Sequence, residues 1–322
     1  MIGCGSIGER HVRNLLGLKQ EVFIFDRDLK RMDYLAGKYK VQAYDFLSHH
    51  IKMDGWIICV PPVYHLMFAE EGLKHNAHLF IEKPISHTLE GVDRILAEAE
   101  SKGLIVQVGY QFRFNSSLRI AKNSMSNIGK IMFIRSEFGQ SLPDWHPSED
   151  YRDLYTSRSD LGGGIILDAS HEIDYVSWLA QSEVESVFCI AGKLGNLEID
   201  VEDTAEMILT FRSGIIASIH VDMTQRDYTR TCKIVGQEGT ILWDYKDGAV
   251  RSFDARKKCF GTFRDAMMDK SMYEEEMKDF VNCVETGRKP LVDGFTGKKV
   301  LQVCLAAKES AKSGKVIKLE ER

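Results

Sequence analysis

The chain has 322 residues, 44% of them apolar and 28% charged, with a formal net charge of −5. These values describe a globular chain long enough for about two domains, and a mildly acidic one, so no nucleic-acid or membrane partner is expected. No apolar run approaches the roughly 18 residues of a membrane-crossing helix, and seven scattered cysteines without a C-x-x-C pair point to reduced thiols in a cytoplasm, with no disulfide framework and no metal site.

The first eight residues contain Gly3-x-Gly5-x-x-Gly8. In a strand–turn–helix setting, Gly3 permits a tight turn, Gly5 lets the backbone approach a pyrophosphate, and Gly8 lets the helix pack close on the strand; Ser6 and Ile7 complete the turn. A lone glycine triplet is a weak signal. Here, however, Val22-Phe23-Ile24-Phe25 ends on Asp26, 18 residues after Gly8, close to the roughly 20 expected for an acid that grips a ribose hydroxyl. Together these features read as a dinucleotide site. Asp26 favours NAD because a carboxylate repels a 2′-phosphate, and Arg27 beside it leaves NADP open. Only Met1 and Ile2 precede the first glycine, few for a central strand buried on both faces. Either residues upstream are missing or the numbering begins inside that strand.

Up to about residue 110, short apolar runs alternate with amphipathic ones. Strands are expected at 21–26, 41–43, 55–60, 78–82 and 105–109, and helices at 28–39, 64–75 and 88–102. The runs Trp56-Ile57-Ile58-Cys59-Val60 and Leu79-Phe80-Ile81 are continuously apolar, as buried parallel strands require. This is the pattern of an α/β, doubly wound parallel sheet of Rossmann type, with ligands outside the carboxyl ends of its strands. Beyond residue 118 the pattern becomes β-rich, at 128–139, 185–193, 204–211, 215–222, 229–236 and 239–245, with short turns that imply an open, mainly antiparallel sheet. One helix is expected at about 164–180, and helices at 271–286 and 294–313 close the chain. The domains read as 1–116 (Rossmann, dinucleotide-binding) and 117–322 (α+β, substrate-binding and oligomerisation), with the 294–313 helix packing back on the first. Three helices against six β-rich runs leave a sheet face uncovered, so a homo-dimer or homo-tetramer is expected.

Several polar groups stand where parallel strands should end. Pro61-Pro62-x-x-His65 follows one strand as a stiff turn, and Glu82-Lys83-Pro84 ends another. A lysine there can hydrogen-bond a substrate hydroxyl and favour its deprotonation, although a surface lysine starting a helix explains it as well. Further on, Gly162-Gly163-Gly164 runs into a helix carrying Asp168 and His171. At i, i+3 the two share a helix face, and a carboxylate beside a histidine orients the ring for general-base work. A purely structural pair accounts for the same spacing. A zinc-protease reading fails because Tyr175 stands where the second histidine would be. Loop 143–158 holds Trp145, His146, Tyr151, Arg152, Tyr155 and Arg158, groups that stack on or hydrogen-bond to sugars and phosphates. His49-His50 is expected to be exposed, and Glu274-Glu275-Glu276 to be a solvated helix face.

Taken in order, the glycine fingerprint, Asp26, Pro-Pro-x-x-His65, Glu82-Lys83-Pro84 and Gly-Gly-Gly-x-x-x-Asp168-x-x-His171 resemble the glucose–fructose oxidoreductase / inositol dehydrogenase family, Gfo/Idh/MocA, over nearly the whole chain. The resemblance implies NAD(P)-dependent oxidation or reduction of a CH–OH carbon in a sugar, polyol or nucleotide-sugar. It implies cofactor contacts from Gly3, Gly5, Ser6, Ile7, Gly8, Asp26, Arg27, Pro61, His65, Glu82 and Lys83, and proton handling by Lys83, His171 and Asp168. Arg113, in Tyr110-Gln-Phe-Arg113-Phe-Asn115, resembles a family arginine that faces substrate, and Trp145, Tyr151 and Arg152 join it with Asp168 and His171. The family's aspartate and histidine usually lie four apart. The spacing here is three, a difference of about 100° that a local π-bulge or 3₁₀ turn would offset. Two other readings are a non-catalytic dinucleotide sensor and an enzyme that uses tightly held NAD for transient oxidation and elimination. Lys83 together with Asp168 and His171 argues against the sensor, which needs none of them.

Overall fold

The computed structural model describes residues 1–44, 52–147, 149–264 and 271–320; His49-His50 lies outside them. The chain divides into two compact units, Met1–Gln111 with Ser271–Lys299, and Phe112–Lys270 with Val300–Arg322.

The first unit is built on parallel strands. β1 (Phe23–Ile24) pairs with β2 (Gln42–Ala43), while β3 (Gly55–Ile58), β4 (His78–Glu82) and β5 (Val106–Gly109) form a second parallel set in that order. Ile2 links the two sets through single parallel bridges to Phe25 and Ile58. A sheet covered on both faces needs apolar side chains throughout, and Trp56, Ile57, Ile58, Leu79, Phe80 and Ile81 are all buried. The covering helices are α1 (Ser6–Gly17), α2 (Leu29–Tyr39), α3 (His65–Lys74) and α4 (Val92–Ser101). The Asp28 carboxylate caps α2 by accepting the N–H groups of Lys30 and Arg31. Val12 and Leu15 of α1 join Ile24, Ile57 and Phe80 in one core.

In the second unit, α5 (Ser116–Asn123) starts at Asn115, whose side chain accepts the Leu118 N–H. The strands are β6 (Ile131–Gly139), β7 (Val184–Gly192), β8 (Thr204–Phe211), β9 (Ile216–Asp222), β10 (Thr229–Gly236), β11 (Gly239–Asp244), β12 (Ala249–Asp254), β13 (Cys259–Arg264) and β14 (Ile317–Lys318). They form one sheet in the order β13-β12-β11-β10-β6-β9-β8-β7-β14. Only β6 and β9 pair in parallel; the other neighbours are antiparallel. The helix expected at 164–180 is broken. α6 (Ile165–Asp168) and α7 (Ser170–Ala180) meet at Ala169, where ψ is 26°, and the Glu172 N–H reaches back three residues to the Ala169 carbonyl. α6 packs on β8 and β9, and α7 on β6 and β9.

The segment 271–299 belongs with the first unit. It holds α8 (Met272–Thr286) and the opening residues of α9 (Gly294–Ser313). Met277 and Phe280 of α8 enter the first unit's core, where Phe280 meets Phe80 edge-on at 5.7 Å between centroids. The Val108 N–H donates to the Val292 carbonyl. The sequence reading returned the 294–313 helix to the first domain; only its residues up to Lys299 belong there, whereas α8 belongs there whole, because its apolar face is covered by that core. Glu276 lies on that face and is fully buried, while Glu274 is exposed, so the three-glutamate run is not a uniformly solvated face.

Candidate active site

At the glycine turn, Gly3 has φ +97°, and a Cβ added to it would lie 2.4 Å from the Cys59 carbonyl oxygen. A Cβ on Gly8 would lie 2.0 Å from the Gly3 oxygen, whereas one on Gly5 would meet nothing within 4 Å. Two glycines are therefore required by the backbone itself, and the third opens onto empty space. α1 begins at Ser6, with Gly5 as N-cap and no side-chain cap, so its first-turn N–H groups are left for an anion. Asp26 closes this turn: Oδ2 accepts the Cys4 N–H at 2.7 Å and Oδ1 the Asp28 N–H at 2.8 Å. Open cradle, uncapped helix and fixed carboxylate together fit a dinucleotide with an unmodified ribose. Arg27 is exposed beside them.

β4 delivers Glu82 and then Lys83. Glu82 is 8% exposed; its Oε1 lies 2.8 Å from His11 Nε2, and its Oε2 accepts the Lys83 N–H at 3.1 Å. A side chain on Gly109 would place its Cβ 2.9 Å from Glu82 Oε2, so a glycine at the end of β5 makes room for this carboxylate. His65 is 1% exposed, with Nδ1 2.8 Å from the Pro84 oxygen and Nε2 2.8 Å from the Val60 oxygen. Burial pushes its pKa below the usual imidazole range, against the pull of those carbonyls. Expected at the cofactor, Glu82 and His65 instead fix the backbone on either side of Lys83, one through the residue's own N–H and the other through Pro84. Lys83 itself is partly exposed, as is Pro61. The sequence reading missed His11, whose signal is its place on the α1 face shared with the buried Gly8, Val12 and Leu15.

In the second unit, the triple glycine brings the turn at residues 155–158 against α6. A Cβ on Gly163 would lie 2.4, 2.5 and 2.8 Å from the carbonyl oxygens of Tyr155, Thr156 and Arg158. The N–H groups of Gly163 and Gly164 donate to the Arg158 and Thr156 oxygens, both at 2.9 Å. Asp168, 8% exposed, accepts hydrogen bonds from the Tyr155 hydroxyl and, at 3.4 Å, from Thr156 Oγ1. His171 packs edge-on against Phe112, 5.2 Å between centroids. Because the helix breaks at Ala169, Asp168 and His171 stand on different helices, and the shared helix face expected from the three-residue spacing is not formed.

Two arginines anchor α7. Arg113 binds Asp174 through Nε at 3.0 Å and through its terminal nitrogen at 2.7 Å, and is itself 8% exposed. Arg230 Nε lies 2.8 Å from Glu172, with the guanidinium carbon 4.3 and 4.0 Å from the ring centroids of Phe112 and Phe138. Arg113 is thus committed to holding α7, at odds with the expectation of a substrate contact. In the 143–158 loop, Trp145 Nε1 donates to the Gln140 carbonyl at 3.1 Å, and the Tyr151 hydroxyl accepts the Glu198 N–H at 3.2 Å. Arg152 is exposed and pairs with Asp150 at 2.7 Å and Glu198 at 2.8 Å, while Arg158 pairs with Asp160 at 2.7 Å. Both loop arginines therefore form exposed ion pairs.

Comparison with known proteins agrees with this geometry. Residues 1–110 match the model of the oxidoreductase family with an NAD-binding Rossmann fold, and residues 124–242 match the GFO/IDH/MocA C-terminal domain. A myo-inositol 2-dehydrogenase of Thermotoga maritima is 28% identical over 100% of this chain and 98% of that protein. A UDP-N-acetylglucosamine 3-dehydrogenase of Acidithiobacillus ferrooxidans is 21% identical over 95% and 94%. The WlbA dehydrogenase of Bordetella pertussis, solved with NADH and UDP-GlcNAcA, shares the fold with a TM-score of 0.83 at 23% identity, covering 100% of this chain and 98% of that one. With the glycine cradle and both family models matched along its length, the chain belongs to the Gfo/Idh/MocA family of NAD-binding oxidoreductases.

Proposed function

We propose that this protein is an NAD-dependent dehydrogenase that interconverts a CH–OH group and the corresponding ketone on an uncharged sugar or polyol. The observation that carries the reading is the Asp26 carboxylate held at the open glycine cradle. Gly3, Gly5, Ser6, Ile7, Gly8, Asp26, Pro61 and Lys83 would hold the dinucleotide. When bound, NAD supplies the hydride acceptor. Lys83 donates a hydrogen bond to the substrate oxygen, His171 takes its proton during oxidation, and Asp168 is the carboxylate that sets this proton transfer.

An uncharged substrate needs no exchange of partners in this loop, whereas a diphosphate reaching Arg152 or Arg158 would have to displace Asp150, Glu198 or Asp160. Trp145 and Tyr151 supply surfaces on which a sugar ring packs. The relative named for myo-inositol agrees with this choice better than the more distant one named for a UDP-sugar. None of the seven cysteines forms a disulfide, in keeping with a reducing, cytoplasmic setting, and no helix among the described residues is long and apolar enough to cross a membrane.

The test is a screen of cyclitols, free sugars and UDP-sugars with NAD, read as NADH absorbance. With the best substrate, His171→Ala should lower turnover by roughly 10²–10⁴-fold with NAD affinity nearly unchanged, and Lys83→Ala should lower turnover as far while also weakening NAD. NAD binding without turnover of any of these compounds would favour a sensor. A UDP-sugar turned over tenfold faster than every uncharged compound would overturn the substrate class alone.

A further inference from the structure

Asp168 is the last residue of α6, and the backbone leaves helical geometry at Ala169. The helix alone therefore does not determine where this carboxylate points. The turn at residues 155–158, shortly before the triple glycine, meets it instead. The residues 155–158 lie so close to the triple glycine that any side chain on Gly163 would displace three carbonyl groups, and two backbone hydrogen bonds lock them there. That closure delivers two hydroxyls, from Tyr155 and Thr156, to the same oxygen of Asp168. A hydroxyl donating to a carboxylate makes a charge-assisted bond, roughly twice as strong as a neutral one.

We infer that Tyr155 is a positioning residue for the reaction: seated by Gly163, its hydroxyl aims and holds the Asp168 carboxylate for proton transfer at His171. The inference deepens the function proposed above and rests on it. It also gives the triple glycine a purpose. Gly163 is glycine so that the 155–158 backbone can come close enough for the phenol to reach Asp168, and Gly164, with φ +104° and an added Cβ 2.4 Å from Glu202 Oε1, lets the chain turn into α6.

The experiment compares wild type with Tyr155→Phe, Asp168→Asn, the double variant and Gly163→Ala, using the substrate found in the screen. Tyr155→Phe should lower kcat roughly 10–100-fold while KM for NAD stays unchanged and the melting temperature moves by no more than about 3 °C. In the Asp168→Asn background, removing the phenol hydroxyl should change kcat by less than about twofold, because the partner it positions is already gone. Gly163→Ala keeps the phenol but displaces the turn, and should also lower kcat, so the inference does not hang on one variant. A Tyr155→Phe enzyme as fast as wild type, or a loss that simply adds to that of Asp168→Asn, would overturn the inference and leave the proposed dehydrogenase intact. If wild type turns over nothing, the proposed function fails, and the contact is judged by proton NMR. A downfield hydroxyl resonance lost in both Tyr155→Phe and Asp168→Asn supports the contact, and its absence from wild type refutes it.

Discussion

Asp26 shows how one side chain joins fold and specificity. Its two oxygens accept backbone N–H groups from Cys4 in the glycine turn and from Asp28, which caps α2, so the carboxylate cannot swing aside for a larger, charged ribose substituent. Wild type should accordingly bind NAD at least about tenfold more tightly than NADP. Asp26→Ser removes the charge and both strong acceptor contacts, so it should weaken NAD and narrow the ratio. Titration of both nucleotides by intrinsic fluorescence decides the matter; tenfold tighter NADP binding to wild type would instead make the exposed Arg27 a phosphate partner. His65 and Glu82 teach the complementary lesson. Glu82 at the end of β4 and His65 just beyond the stiff turn after β3 were legible in the sequence, but the direction of each side chain was not, because it depends on the carbonyls of Val60 and Pro84 and on His11, brought together only by the fold.

At the level of elements, legibility followed burial. The parallel strands β3 and β4 were readable because both their faces are covered, which writes an unbroken apolar run into the sequence. The hairpin β12–β13 was not, because all six residues of β13 are exposed and carry no alternation. The break at Ala169 was hinted at only by the three-residue Asp168–His171 spacing, since 164–180 otherwise reads as one helix. One strand pairing has a thermodynamic consequence. His220 on β9 lies 3.1 Å from Asp222 and 2.7 Å from Glu206 on β8, and these hydrogen bonds, Asp222 first, raise its pKa to about 9 against partial burial. A folded-state value above the unfolded one of about 6.5 means that stability is fully present below pH ~6.5 and is lost as pH rises through about 9. Because the ring is partly solvated, the loss should be only about 1 kcal/mol. Urea midpoints at pH 6.5 and pH 9.5 should therefore fall further apart in wild type than in His220→Gln; equal spacing would show that the pair contributes nothing.

For the whole molecule, the decisive feature is the sheet face that α6 and α7 do not cover. Cross-strand neighbours on that face line up as Phe188 opposite Ile208, and Ile216 opposite Phe133, which in turn faces Val235. Ile208 and Ile216 are 42% and 52% exposed, and Ile190, opposite Glu206 on the same face, is 66% exposed. Charged groups share this face: Lys233 and Arg135 stand side by side in the row that Ser218, Ile208 and Phe188 complete, and Glu137 and Glu206 flank His220 in the next row. Exposed apolar side chains beside a basic row and an acidic one suit pairing with a second copy, because a twofold axis can set each row against its complement. We therefore expect a homo-oligomer built on this face, since a globular domain seldom leaves several large apolar side chains this exposed on one sheet face. Sedimentation or light scattering at micromolar concentration should give at least a dimer. Ile208→Glu with Ile216→Glu should shift it towards monomer with little change in the folded unit, because both side chains already face solvent within one chain. A monomeric wild type would show that this face is tolerated bare, and a double variant that stays dimeric would move the interface elsewhere.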